Sequence, residues 1–153
     1  MEPLRSRPLF RLTLTLHPTI DLGQTPLGGR RIFPVSGGRF EGDRLRGVAL
    51  PHGGSDYLLA RADGSFQQDV RLLLQTDDDA VIAMTYRGVR TCTQEVQARI
   101  TRGEAVDRSE YYLRTAPFFE TAAERYAWIN GIVTVAVGGR TPEGVAYDVH
   151  EIL

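Results

Sequence analysis

Residues 68–88 read QDVRLLLQTDDDAVIAMTYRG. Two apolar runs, within 67–75 and 80–88, flank Asp77, Asp78 and Asp79. Acidic residues at the centre of such a pair favour a turn, because their side chains bond their own backbone and tolerate its unusual angles. The stretch therefore predicts a β-hairpin with the three aspartates at its tip. Upstream, residues 10–17 read FRLTLTLH and put Phe10, Leu12, Leu14 and Leu16 on one face, with Arg11, Thr13, Thr15 and His17 on the other. Strict alternation is the mark of a strand between two different surroundings. Further strands are expected at 30–40, 44–51, 55–62, 109–119, 131–138 and 144–152. Glycines and prolines, 16 and 8 of them, cluster between these runs. Many short strands at regular spacing point to an antiparallel barrel or sandwich.

Two segments break the alternation. Thr121-Ala-Ala-Glu124 has the spacing of a capping box and precedes RYAWIN and Gly131, so a short helix is expected there. Residues 93–102 predict a second, with Val96 and Ile100 on one face. Neither can join its neighbouring strands into a βαβ unit, which removes Rossmann and TIM-barrel architectures. Gly-Gly-Arg recurs at 28–30, 37–39 and 138–140. Three residues are too few for a structural repeat, and each occurrence reads as a turn or bulge beside a strand.

The chain has 153 residues, one domain's worth, so a single domain over 1–153 is expected. A net charge of −1 gives no basic surface for nucleic acid or anionic lipid. The single cysteine, Cys92, excludes an internal disulfide framework and any multi-cysteine metal site. The opening MEPLRSRPLF lacks the apolar core of a secretory signal, and no run approaches a membrane span, so a cytoplasmic location is expected. All 18 basic residues are arginine. Without lysine, Schiff-base chemistry and the lysine-dependent phosphate loop are excluded.

The familiar catalytic arrangements are missing. Ser36 in PVSGG and Ser55 in HGGSD do not form a nucleophile elbow, and Cys92 has no motif around it. His17, His52 and His150 lack metal-binding spacing, and the aspartate run lacks the pattern of a calcium loop. No metal and no cofactor are therefore expected. What remains is a set of carboxylates, arginines and aromatics on strands. Asp56 follows a glycine pair at a strand start, with Arg61 five residues on; Tyr86 ends the hairpin strand. The stretch EYYLRTAPFFET supplies Tyr111, Tyr112, Arg114, Phe119 and Glu120 ahead of the expected helix with Trp128. Each has an ordinary reading: Asp56 as a turn residue, Arg114 and Glu120 as a structural ion pair, the tyrosines as strand formers, Trp128 as a core plug. Together, aromatics interleaved with single charges suit a pocket for a ring-bearing or carbonyl ligand.

Four segments carry a family resemblance: GGRFEGDRLRGVALPHGGSDY (37–57), ARADGSFQQDVRLLLQTDDDAVIAMTYRG (60–88), YYLRTAPFFETAAERYAWIN (111–130) and VAYDVHEIL (145–153). In order and over nearly the whole chain, the sequence resembles the domain of unknown function 3237 family, also called uncharacterised protein family 0311. One departure is Asp79, where the family's hairpin tip usually carries glycine. The resemblance implies an all-β fold, an antiparallel barrel of about eight to nine strands with one or two short helices. Such a barrel is similar to those of allene oxide cyclase and dirigent proteins. It also implies a homo-oligomer with an apolar ligand in the barrel mouth, and chemistry that needs no cofactor.

The expectation is then an enzyme acting on a small hydrophobic or aromatic carbonyl compound by proton transfer, as a lyase, isomerase, cyclase or hydratase. Asp56 would be the general base or acid, and Tyr86 or Tyr112 would bond the developing oxyanion. Arg114 would hold a carboxylate or phenolate, and Glu120 would orient it or relay a proton. Phe119 and Trp128 would form the apolar wall, and Arg61 would also bind the substrate. The alternative is a non-catalytic carrier of an apolar metabolite, which would use the same cavity without a carboxyl of shifted pKa.

Overall fold

The computed structural model describes residues 1–153. Ten strands follow one another as β1 (Ser6–Leu16), β2 (Ile20–Thr25), β3 (Gly28–Glu41), β4 (Arg46–Ala49), β5 (Ser55–Ala60), β6 (Phe66–Thr76), β7 (Val81–Thr91), β8 (Tyr112–Glu120), β9 (Thr134–Thr141) and β10 (Gly144–Ile152). One helix, α1 (Gln94–Thr101), follows β7, and short 3₁₀ segments cover Arg108–Glu110 and Glu124–Gly131. All ten strands belong to one sheet: nine run in the order β1-β10-β9-β8-β7-β6-β4-β3-β2, β5 pairs with β3 and β6 off that path, and β1 also pairs with β3. That second pairing closes an antiparallel barrel of eight strands, with β2 and β5 as additions. Closure leaves the barrel wall without an open edge.

The alternation read in the sequence is the inward and outward alternation of this barrel. Phe10, Leu12 and Leu14 of β1 are buried while Arg11 and Thr13 face solvent. Leu9 is buried as well, because the register with β10 shifts between Pro8 and Phe10 and turns an extra side chain inward. The hairpin at 68–88 forms as expected: β6 and β7 pair from Phe66↔Arg90 to Gln75↔Val81. Strand β3 serves both parts of the sheet. Its first half pairs with β2 and β5, its second with β1 and β4. At the bend lies the second Gly-Gly-Arg, where a Cβ on Gly38 would collide with the Thr13 carbonyl. The seam between β8 and β9 is short, with only Arg114↔Val137 and Thr115↔Ala136 in register. Pro117 has no N–H to offer the ladder there, and its carbonyl instead accepts the Thr134 hydroxyl at 2.6 Å.

Three local expectations are corrected. Strand β2 went unread because all but the last residue of IDLGQT are exposed, leaving no alternation to see. The Thr121–Glu124 box does not form. Thr121 Oγ1 accepts the Ala123 N–H at 3.2 Å and donates to the Val81 carbonyl at 2.7 Å, so it closes a turn. The segment it precedes starts at Glu124 and is wound as 3₁₀. A capping box forms instead at Asp107 and Glu110, where a strand was expected to begin.

The interior divides in two. At one end Phe10, Phe40 and Phe119 pack ring against ring, with centroids 5.5 and 5.8 Å apart, among Leu74, Ile82 and Met84. The 3₁₀ segment plugs this end through Tyr126 and Ile129, and the Tyr126 hydroxyl donates to Asp78 at the hairpin tip (2.7 Å). At the other end α1 packs Val96 and Ile100 on the barrel. Between α1 and the solid layers the barrel is hollow. No helix is long and apolar enough to cross a membrane.

Candidate functional site

The hollow end is a cavity of about 440 Å³, within the range of small-molecule sites. Much of its wall is apolar, including Leu14, Phe33, Val35, Leu58, Phe66 and Val70. Five polar side chains line it deeper in: Asp56, Gln68, Tyr86, Arg90 and Tyr147. Asp21, Arg31 and Arg140 stand around the opening, the first two 3.5 Å apart as an ion pair.

Strand register explains the assembly. Asp56 pairs with Val70, and Val70 pairs with Tyr86, so a carboxyl and a phenol stand in one row across β5, β6 and β7. Asp56 Oδ1 accepts the Asp69 N–H at 3.1 Å. Burial pushes the Asp56 carboxyl up to about 6; the Asp69 N–H and the charges of Arg30 and Arg90 restrain the rise. Tyr86 and Tyr147 meet edge to face with centroids 5.2 Å apart. Burial drives both phenols above their usual value, and the charge of Asp56 adds to the rise at each. Both therefore remain protonated donors at neutral pH, where Asp56 is ionised.

Arg90 comes from the same strand as Tyr86, four residues on and on the same face. Its guanidinium lies 4.3 Å over the Phe66 ring, and Nη2 donates to Gln97 Oε1 of α1 at 3.1 Å. Burial lowers its pKa from the ordinary arginine value. Gln68 faces inward from β6 opposite Gly88.

Of the residues singled out in the sequence, Asp56 and Tyr86 meet in the cavity and the others do not. Strand β8 alternates strictly, so Tyr112, Arg114 and Glu120 face outward while Leu113 and Phe119 face inward. Arg114 stacks on Tyr112 at 4.8 Å on the outer wall, away from the cavity. Phe119 is core at the solid end, against Phe10. Trp128 lies in the plug with the Arg44 guanidinium 4.1 Å over its ring. Arg61 is engaged in a turn, its Nε donating to Ser65 Oγ at 2.8 Å. Gln68, Arg90 and Tyr147 were missed. Extending the Ile82, Met84, Tyr86 face by one glycine reaches Arg90; the face Val145, Val149 holds Tyr147. Nowhere do three His, Cys, Asp or Glu side chains gather as a metal site would need.

The family model for the protein of unknown function DUF3237 matches residues 4–152. The chain belongs to this family. A relative from Clostridium acetobutylicum, named a UPF0311 protein, is 34% identical over 145 residues, covering 94% of this chain and 91% of its own. The crystal structure of a conserved protein of unknown function from Rhodopseudomonas palustris is similar with a TM-score of 0.95 at 31% identity, over 100% of both chains. A β-barrel-like protein from Acinetobacter baumannii matches with a TM-score of 0.86 at 34% identity, over 100% of this chain and 98% of the other. Membership in DUF3237 agrees with the closed barrel and assigns no reaction.

Proposed function

We propose that the chain is a cofactor-independent enzyme that moves a proton on a small hydrophobic or aromatic carbonyl compound, in a lyase, isomerase, cyclase or hydratase reaction. The observation that carries this reading is Asp56, a carboxyl raised to about 6 in a largely apolar cavity beside two phenols. A carboxyl titrating there is ionised at neutral pH yet basic enough to take a proton from carbon next to a carbonyl. The C–H electron pair then moves to the carbonyl oxygen, giving an enolate. Tyr86 or Tyr147 donates a hydrogen bond to that oxygen, which is worth more in a dry cavity than in water. Protonated Asp56 returns its proton to a second atom of the substrate, and the carboxylate is restored. A pure carrier has no use for a carboxyl held at this cost.

The test is hydrogen–deuterium exchange at the α-carbon of cyclic and aryl ketones in D₂O, followed by NMR. The wild-type protein is expected to accelerate exchange and Asp56→Asn to abolish the acceleration. Ketones that bind in the cavity without faster exchange would overturn the enzyme reading and leave a carrier.

A further inference from the structure

Arg90 is only 7% exposed, yet its Nε bonds to no group of the protein. No carboxylate oxygen lies within 4.0 Å of its guanidinium; Asp56 is close enough to feel its charge but not to pair with it. Removing a guanidinium from water without a counter-ion is costly, and folds that tolerate it supply an anion. One bond to Gln97 and the ring of Phe66 hold the side chain in place and leave Nε buried without a partner. Gln68, 5% exposed on the neighbouring strand, likewise has an unbonded Oε1. It stands opposite Gly88, and Phe66 stands opposite Arg90. The two orphaned groups thus lie on adjacent strands, one a cationic donor and the other an acceptor, and both line the cavity.

We propose that the cavity takes an organic acid, its carboxylate seated on the Arg90 guanidinium, its aromatic or cyclic body against the apolar wall, and a hydroxyl donating to Gln68 Oε1. The proposal names the substrate class of the reading above and rests on it only for the word substrate. A single guanidinium matches a single carboxylate in charge and in its planar, two-toothed geometry. A phosphate would bring a second negative charge into a cavity that already holds Asp56. With the acid anchored on Arg90, the ring reaches toward the row holding Asp56 and Tyr86.

Titration calorimetry on the full chain with benzoate, benzamide and 3- and 4-hydroxybenzoate tests this without any turnover. Benzoate is expected to bind about tenfold tighter than benzamide, the worth of one charge-assisted hydrogen bond. One hydroxybenzoate should bind tighter than benzoate. Arg90→Gln should erase the gap between acid and amide, and Gln68→Leu should erase only the hydroxyl's gain. Asp56→Asn should keep the acid preference, so a failure of the proton-transfer reading leaves the anchor standing. Equal affinity of wild-type protein for benzoate and benzamide overturns the proposal, as does no saturable binding of any acid up to its solubility. That comparison needs no variant and survives a misfolded Arg90→Gln.

Discussion

Asp56 and Tyr86 flank Val70 in a single row, two strands apart on the cavity wall. The row brings a carboxyl into the same apolar space as a phenol, and burial does the rest: both groups are pushed toward their neutral forms.

For Asp56 the consequence can be measured without a substrate. Its folded-state pKa, about 6, lies above the ordinary carboxyl value of 3.8. The fold therefore binds this proton more tightly than the unfolded chain. The resulting stability is whole below about pH 4 and is lost as pH rises through 6. Asp56→Asn keeps an oxygen for the Asp69 N–H and has no charge to bury. It is expected to raise stability by about 3 kcal/mol at pH 8 and by nearly nothing at pH 3.5. Urea unfolding at the two pH values checks this. Activity should vanish in the same variant, and the wild-type rate should climb with pH around 6. A variant less stable at pH 8 would return Asp56 to a turn residue.

Tyr86→Phe and Tyr147→Phe separate the two phenols. Whichever bonds the enolate oxygen should lose about 10²–10³ in kcat on losing its hydroxyl, as other sites do when an oxyanion donor is removed. The other should change kcat less than tenfold. Both phenols titrate above their usual value, so neither should impose an alkaline fall in rate below about pH 10. Steady-state kinetics of the two variants across pH settles the assignment.

How much of this was legible in the sequence follows from what alternation can carry. The faces of β1, β6 and β7 were readable because one side of each carries a run of apolar residues: Phe10, Leu12 and Leu14, then Val70, Leu72 and Leu74, then Ile82 and Met84. Asp56 and Tyr86 were readable as isolated polar residues on such strands. Arg114, Tyr112 and Glu120 misled because their segment holds two adjacent tyrosines, and period 2 does not say which one faces in. The structure answers that with Tyr111, whose hydroxyl accepts the Arg140 N–H at 2.8 Å. Arg90 and Gln68 were unreadable as a pair. Their meeting depends on the register of β6 against β7, which sets Gln68 opposite Gly88 and Phe66 opposite Arg90.

At the barrel's closure, Glu151 gathers two arginines: Arg7 donates from β1 at 2.9 Å, and Arg44 donates from the β3–β4 connection. The Arg7 bond, then that of Arg44, hold its carboxyl below the usual range although burial opposes them. Stability from a depressed carboxyl is present above the unfolded pKa and lost as pH falls through the folded one. Glu151→Gln is expected to cost about 2 kcal/mol at pH 7. The difference from wild type should close as pH falls below about 4. A gap that persists at pH 2.5 would mean that shape rather than charge holds the seam.

The hairpin tip offers a gain. Asp79 is the one non-glycine residue with a positive φ, 67°. The Thr76 carbonyl accepts the Asp79 N–H at 3.0 Å, and Thr76 N–H donates to the Ala80 carbonyl at 2.9 Å. These bonds close a three-residue loop whose last position is left-handed, the place where hairpins of this length prefer glycine. Aspartate tolerates the angle, at a cost of about 1 kcal/mol relative to glycine. Its side chain recovers little, since its one bond is an exposed 3.3 Å contact from Gln75. Asp79→Gly should therefore stabilise the protein by about 0.5–1 kcal/mol, even against glycine's greater freedom in the unfolded chain. Asp79→Ala should destabilise it by a similar amount, because alanine meets the strained angle without a local hydrogen bond. Urea midpoints rank the three proteins, and the expected order is glycine, aspartate, alanine. Should glycine fall below aspartate, the acidic side chain would be contributing through Gln75 more than its geometry allows. Asp78 serves as the control. It accepts from Thr76, Tyr126 and Arg125 and ties the tip to the 3₁₀ plug, so Asp78→Gly should destabilise the same loop.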